Sequence, residues 1–311
     1  SKEPYVAERF KIREYAGRLR DMLQQEKFDV IQLEGPYMGH YLDVIREHSK
    51  AVVSLRTHNV EHLIWKRKAA GESGHLKKRY LENIAIRLER FELNIVRRSD
   101  CLVPISKVDA SHFQSAGYGG PSITIPAGLS PDDYPVTPLP ADPTVFFIGA
   151  LDWLPNQEGV KWFLDRVWMK LTKKIPEVSF HLAGRNAPRG FARRLNEKQM
   201  VFHGEVENAA EFMQAYRIMV VPLLTGSGIR IKILEAMALG RPVVTTPVGI
   251  EGIPAEDGRE VRVATDPDGF ADRIVELLEK QQETLRMTEN ARLLVRQNFD
   301  TFTLSSRLSR F

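Results

Sequence analysis

Residues 220–252 read VVPLLTGSGIRIKILEAMALGRPVVTTPVGIEG, and the order of residue types inside this stretch decides the fold. A β-branched and leucine-rich run, Val220, Val221, Leu223 and Leu224, stops at Thr225-Gly226-Ser227-Gly228. Ile229, Ile233, Ala236 and Met237 then recur at helical spacing, Gly240 ends the helix, Pro242 follows, and Val243-Val244-Thr245-Thr246 reads as the next strand. Strand, glycine turn, helix and strand in that order predict a parallel βαβ unit. In such sheets ligands bind outside the carboxyl ends of the strands, where a helix N-terminus offers unpaired N–H groups and positive dipole to a phosphate. Gly226 and Gly228 would let the backbone approach an anion closely, with Arg230 and Lys232 adding cationic donors. Cations are unfavourable at a helix N-terminus, and an anionic ligand removes that conflict. Glu235 lies one helical turn from Lys232. It could accept hydrogen bonds from sugar hydroxyls, or form with Lys232 a surface pair worth a few tenths of a kcal/mol beside an ordinary βα turn.

The wording of the helix adds a resemblance. Glu235-Ala236-Met237-Ala238-Leu239-Gly240-Arg241-Pro242-Val243-Val244 resembles the donor-site signature of GT-B glycosyltransferases, specifically the retaining family 4 (glycosyl transferases group 1). The resemblance implies an α/β chain with two Rossmann-like domains of the GT-B type facing a cleft. It also implies transfer of a sugar, with retention, from a nucleotide diphosphate-sugar to a glycan, lipid-linked or small-molecule acceptor. Of the family's paired glutamates, the second contacts the ribose and matches Glu235, while the first falls at Ser227. On this reading the backbone from Gly226 through Ser227 and Gly228 to Ile229 holds the diphosphate and sugar, and Arg230 and Lys232 stabilise the departing charge. Gly149, Arg185, Gly204 and Glu205, at the ends of other strands, complete the donor-binding set. The family's glycine-arginine turn after the first strand of this domain is replaced by Ala150-Leu151, so Arg230 and Lys232 are expected to supply the cationic charge. The resemblance implies no metal and no cofactor beyond the donor. Two other functions stay open: a nucleotide-sugar epimerase on the same fold, and a non-catalytic nucleotide-sugar-binding module.

At 311 residues, with 43% hydrophobic and 27% charged residues, the chain suits two soluble domains of ordinary size. No apolar run is long enough for a transmembrane helix. The single Cys101 excludes an internal disulfide and favours a reducing compartment, consistent with the cytoplasm or the inner face of a membrane. No HExxH or cysteine arrangement suggests a metal, and Ile231 stands where a third glycine would complete a G-x-G-x-x-G. The net charge of +4 is mild.

Taken in order, the chain opens with a polar amphipathic helical stretch of ~25 residues, without the strand and glycine loop that usually begin the family's N-terminal domain. That domain is therefore expected to be incomplete. Residues 28–34 read as a buried strand and 37–47 as a helix; 51–55 form the next strand, delivering Arg56-Thr57-His58-Asn59 to a carboxyl end. The family carries a histidine near the transferred sugar at this position, so His58 is a candidate substrate contact, although a lone histidine after a strand is also a common capping residue. Glu34 is a weaker acceptor-side candidate. The region 62–98, interrupted near 71–74, is rich in Lys and Arg with Glu82, Glu89 and Glu92 interspersed. It reads as a solvated helix face or as a basic surface for peripheral membrane contact. It lacks the aromatic interleaving of a nucleic-acid groove. Residues 100–106 and 123–127 read as strands, and Ile125-Pro126-Ala127-Gly128-Leu129 resembles the segment closing the family's N-terminal domain. The expected division is 1–135 for the acceptor-side domain, a proline-rich linker at 136–143, and 144–311 for the donor domain. Within the latter, 144–148, 178–183 and 200–204 read as strands ending in glycine turns, with a helix from about Asn156 and a Trp153 that is either core or a sugar platform.

Overall fold

The structure, a computed structural model, describes residues 4–188, 199–226 and 228–311. The chain forms two compact units, one of residues 1–126 with 307–311 and the other of residues 127–306. The division falls earlier than the expected 135, and the proline-rich segment belongs to the second unit.

The first unit begins with α1 (Tyr5–Glu8) and α2 (Arg13–Gln25), so the opening helical stretch is two helices rather than one. β1 (Val30–Glu34) leads through a 3-10 turn into α3 (Leu42–His48), and β2 (Val52–Thr57) follows. α4 (Glu61–Ala70) and α5 (His75–Arg98) pack along one another, before β3 (Cys101–Pro104) and α6 (Lys107–Ser115). The three strands are parallel in the order β1-β2-β3. Leu81, Ile84, Ala85, Leu88, Glu92, Ile95 and Val96 form the buried stripe of α5, which leaves its basic residues on the other faces. The stretch 123–127 does not form a strand. Ile123 and Ile125 donate to Leu102 and Pro104 of β3, but only one isolated bridge, Leu102 to Ser122, results. Pro121 precedes the stretch and Pro126 lies within it, and neither has an N–H to extend the ladder.

Among the described residues the second unit is built on six parallel strands. β4 (Thr144–Ile148) is followed by α7 (Leu154–Trp162), a π-helical stretch (Phe163–Trp168) and α8 (Met169–Lys174). β5 (Ser179–Ala183), β6 (Met200–Gly204), α9 (Ala209–Gln214) and β7 (Ile218–Val221) come next. α10 (Ile231–Ala238), β8 (Val243–Thr245), β9 (Arg262–Val263), α11 (Pro267–Glu279), α12 (Gln281–Phe299) and α13 (Thr301–Leu308) complete the chain. Every residue of β4 and β7 is buried, as parallel strands covered by helices on both faces require. Phe163, Trp168, Phe180 and Phe270 pack together at the centre of the main core cluster.

The strand order is β6-β5-β4-β7-β8-β9. The chain runs outward from β4 to one edge, then returns to lay β7 against the other side of β4. The connections therefore reverse direction between β4 and β7, the doubly wound pattern in which the loops after those two strands splay apart and leave a crevice.

Candidate functional site

At this reversal point α7, the helix that follows β4, packs against the loop after β7. Gly159 of α7 lies against the β7 loop so closely that a Cβ there would sit 2.6 Å from the Pro222 carbonyl oxygen. Thr225 Oγ1 donates to Glu158 Oε2 at 3.1 Å, tying the same loop to α7 a second time. Gly226 and Gly228 have φ of 124° and 81°, which L side chains rarely adopt, so the turn needs glycine at both positions. Ser227 lies outside the described residues.

Arg230 is the residue before α10 and Lys232 lies in its first turn. The Arg230 guanidinium is 5.5 Å from the centre of the Trp153 ring, and its Nη1 donates to Gly228 O at 2.6 Å. Gly226 completes the stack, since a Cβ there would meet Arg230 Nη2 at 2.7 Å and the Trp153 ring at 3.3 Å. Trp153 is thus neither core nor an open platform: its ring face holds a cation beside the glycine turn. Ile229 is buried at the end of the same turn.

Lys232 Nζ donates to Glu235 Oε2 at 2.6 Å, with Glu235 the more buried partner at 14% exposure against 39%. Glu235 has a further neighbour that sequence reasoning missed. Tyr134 lies near it: burial first, then the Glu235 charge, raises the tyrosine above its ordinary titration range. Tyr134 follows a 3-10 turn, Pro131–Asp133, just before the proline-rich linker, where nothing in the composition marks a site.

The other glycine turns are stitched together at the same ends of their strands. Gly149 N donates to Ala183 O, Gly184 N to Gly204 O, and Leu151 N to Arg185 O. Asn156 is buried and donates to Ala150 O at 2.8 Å, lying so close over Gly149 that a Cβ there would meet its Nδ2 at 2.8 Å. Arg185 and Glu205 are exposed just beyond β5 and β6, and Gly204 has φ 69°. The structure thus brings the described candidate donor residues of the second unit to the carboxyl ends of one sheet.

His58 belongs to the first unit. It follows β2, half-exposed, with Nε2 2.7 Å from Glu34 Oε2 at the end of the neighbouring β1. Glu34 pairs in register with Arg56, whose Nε is 3.9 Å from the same carboxylate oxygen. The helix after this loop is anchored by Glu92 of α5, which is fully buried and accepts from the N–H groups of Glu61 and His62 and lies 2.6 Å from His62 Nδ1. Tyr37 donates to Glu61 at 3.0 Å, and burial raises both groups. Among the described residues no group of three or more His, Cys, Asp or Glu side chains is arranged to hold a metal ion, and no helix is long and apolar enough to cross a membrane.

Comparison with known proteins gives these features a setting. Residues 142–280 match the family model described as Glycosyl transferases group 1. The chain is 28% identical over 296 residues to an uncharacterized 44.6 kDa protein in the cps region of Klebsiella pneumoniae, covering 92% of this chain and 74% of that one. It is 27% identical over 184 residues to a phosphatidyl-myo-inositol mannosyltransferase of Mycolicibacterium smegmatis, covering 56% of this chain and 47% of that protein. Among solved structures, Anabaena HepE in complex with UDP superposes with a TM-score of 0.73 at 16% identity, covering 96% of this chain and 81% of HepE. Sucrose-phosphate synthase from Thermosynechococcus elongatus gives a TM-score of 0.74 at 17% identity, covering 96% and 76%. The fold is that of the GT-B glycosyltransferases, with parallel sheets in both units.

Proposed function

We propose that the chain is a retaining glycosyltransferase whose second unit binds a nucleotide diphosphate-sugar at the reversal between β4 and β7. The single observation that carries this reading is the convergence there of a left-handed glycine turn, the start of α10, and two cations beside it. The match of residues 142–280 to the Glycosyl transferases group 1 model supports it, as does the UDP held by a structure of the same fold.

In the proposed reaction the bond between the anomeric carbon and the diphosphate breaks, the acceptor oxygen forms a bond on the same face, and the acceptor hydroxyl's proton passes to the departing diphosphate. Negative charge grows on the diphosphate as it leaves. Arg230, held over Trp153, and Lys232 lie where that charge develops, and the backbone N–H groups of the glycine turn add donors that need no reorganisation. Glu235 accepts from the ribose hydroxyls. His58 and Glu34, at adjacent strand ends of the first unit, serve the transferred sugar or the acceptor. No metal is required in this scheme, because helix N-terminus and cations supply the positive charge.

The acceptor is a glycan or a lipid-linked molecule, and the protein works in the cytoplasm at the inner membrane face. The start of α5 supports this part, since it exposes Leu76 and Tyr80 beside Lys77, Lys78 and Arg79, the mix that suits an anionic lipid surface.

The test is thermal stabilisation by UDP, GDP, ADP and their sugar conjugates, with Arg230→Ala and Glu235→Ala beside the wild type. A ligand at 100 times its dissociation constant stabilises by about 2.7 kcal/mol. One nucleotide should shift the wild type and neither variant. If no nucleotide shifts the wild type, the donor-site reading fails.

A further inference from the structure

We propose that Trp153 is a positioning residue for the donor diphosphate: its indole holds the Arg230 guanidinium inside the glycine turn, so that part of the affinity for the nucleoside diphosphate depends on a ring that acts through the arginine. The proposal rests on the donor-site reading above and goes beyond it by assigning the presentation of the cation to a residue of a different loop.

Two cations stand at the start of α10, and the structure holds them in different ways. Lys232 Nζ faces the Glu235 carboxylate at 2.6 Å, so that pair carries no net charge. Arg230 lies with its guanidinium carbon 5.5 Å from the centre of the Trp153 ring and with Nη1 2.6 Å from Gly228 O. The indole and the carbonyl are both uncharged. They fix the guanidinium without cancelling its charge, and the negative face of the indole favours a cation over it. Gly226 leaves the room that this arrangement needs. A Cβ there would meet Arg230 Nη2 at 2.7 Å and Trp153 Cη2 at 3.3 Å, so guanidinium and ring fit together only where the turn has no side chain.

The indole can serve as a fixed surface because its backbone is tied down. Trp153 is the residue before α7, and its carbonyl accepts from the N–H groups of Asn156 at 3.1 Å and Gln157 at 3.3 Å. The side chains of the same two residues reach back along the loop, Asn156 Nδ2 to Ala150 O at 2.8 Å and Gln157 Nε2 to Leu151 O at 2.6 Å. Pro155, buried in the first turn of α7, adds a fixed φ. The loop from Gly149 to Gln157 contains no Lys or Arg of its own, so a cationic contribution from this side of the crevice is made through Trp153. An arginine side chain ordinarily loses much rotamer freedom when it meets a phosphate. One already held flat on a ring has less to lose, and its planar group suits such a surface as an ammonium does not.

The experiment is calorimetric titration of UDP, GDP and ADP into wild type, Trp153→Phe, Trp153→Leu, Arg230→Ala and the double variant of Trp153→Leu with Arg230→Ala. For the diphosphate that binds the wild type, Trp153→Leu should weaken affinity by about fivefold, the scale of a partly desolvated cation–π contact. Trp153→Phe, which keeps an aromatic face, should stay within about twofold of the wild type. In the Arg230→Ala background Trp153→Leu should cost nothing further, because a residue acting through another does not add to its loss. A ring that stacked on the donor itself, or that merely shaped the loop, would weaken binding with the arginine already gone. Additive losses, a Trp153→Leu protein that binds as tightly as the wild type, or a Trp153→Phe protein no better than Trp153→Leu would each overturn the proposal while leaving the donor site standing. A wild type that binds none of the three nucleotides would overturn the donor-site reading and this proposal with it.

Discussion

Gly159 provides a sharp test of how the site is built, because two effects of Gly159→Ala oppose one another. Gly159 lies in α7, where alanine is favoured over glycine by about 1 kcal/mol. On helix propensity alone the substitution would stabilise. The methyl group, however, would sit 2.6 Å from the Pro222 carbonyl oxygen and 3.1 Å from its carbon. That is about 1 Å inside the optimum for such contacts. The obstacle is backbone, which cannot swing aside as a side-chain end can. Overpacking of this kind costs about 1–3 kcal/mol, so after the propensity gain the net expectation is a loss of up to about 2 kcal/mol, or roughly 4–8 °C at that upper end for a unit of this size. The strain should also reach the ligand, because Pro222 begins the loop that carries Gly226, Gly228 and Arg230. Gly17→Ala is the control. It lies in α2 with nothing within 4 Å of the added Cβ, so propensity acts unopposed and stability should rise by about 0.5–1 kcal/mol. Scanning calorimetry of both variants, with and without UDP, measures the two effects. A Gly159→Ala protein as stable as wild type and equally shifted by nucleotide would refute the claim that this close approach shapes the donor loop.

Four further outcomes are expected. Lys232→Ala should leave stability within about 0.5 kcal/mol, since the Lys232–Glu235 pair is a partly exposed helix pair, yet weaken nucleoside diphosphate binding measurably by calorimetry. Arg241→Met should destabilise by about 2–4 kcal/mol in urea unfolding, because carbonyls of Thr137 and Pro138 lose buried donors; Arg241→Lys should not restore it, as an ammonium cannot span both acceptors in the same fork. The second unit should lose stability as pH falls below about 6.5. Burial holds His181 down to about 4 and lowers His203, so the unfolded chain takes up protons first; His181→Gln should flatten that slope in denaturation followed from pH 7 to 4. Finally, Lys77→Glu with Lys78→Glu should reduce co-sedimentation with phosphatidylserine-containing vesicles several-fold if the start of α5 meets lipid, while nucleotide binding stays unchanged.

Much of the fold was legible because it is encoded locally. The run Val220, Val221, Leu223 and Leu224, the two glycines and the spacing Ile233, Ala236, Met237 each specify a backbone conformation within a few residues, and β7, the turn and α10 form there. The same holds for β4, β5 and β6, which end in glycine turns as their patterns indicate. Where a local signal was incomplete the reading failed. The stretch 123–127 has strand-like residues but one proline within it and another just before it, and makes ladder bonds without a strand.

What the sequence by itself determined is which residues are chemically able to form a donor site: Gly226 and Gly228 for the turn, Arg230 and Lys232 for charge, Glu235 for hydroxyls. What only the tertiary structure decided is their company. The strand order lays β7 beside β4 and so brings Trp153 to Arg230 and Gly159 to Pro222. The docking of the proline-rich segment brings Tyr134 to Glu235 and Thr137 to Arg241, and parallel pairing of β1 with β2 brings Glu34 to His58. None of these pairs has a fixed spacing along the chain. Periodicity reports how a residue relates to its neighbours within a turn or a strand, whereas which distant side chains meet is settled by the packing of whole elements against a common core.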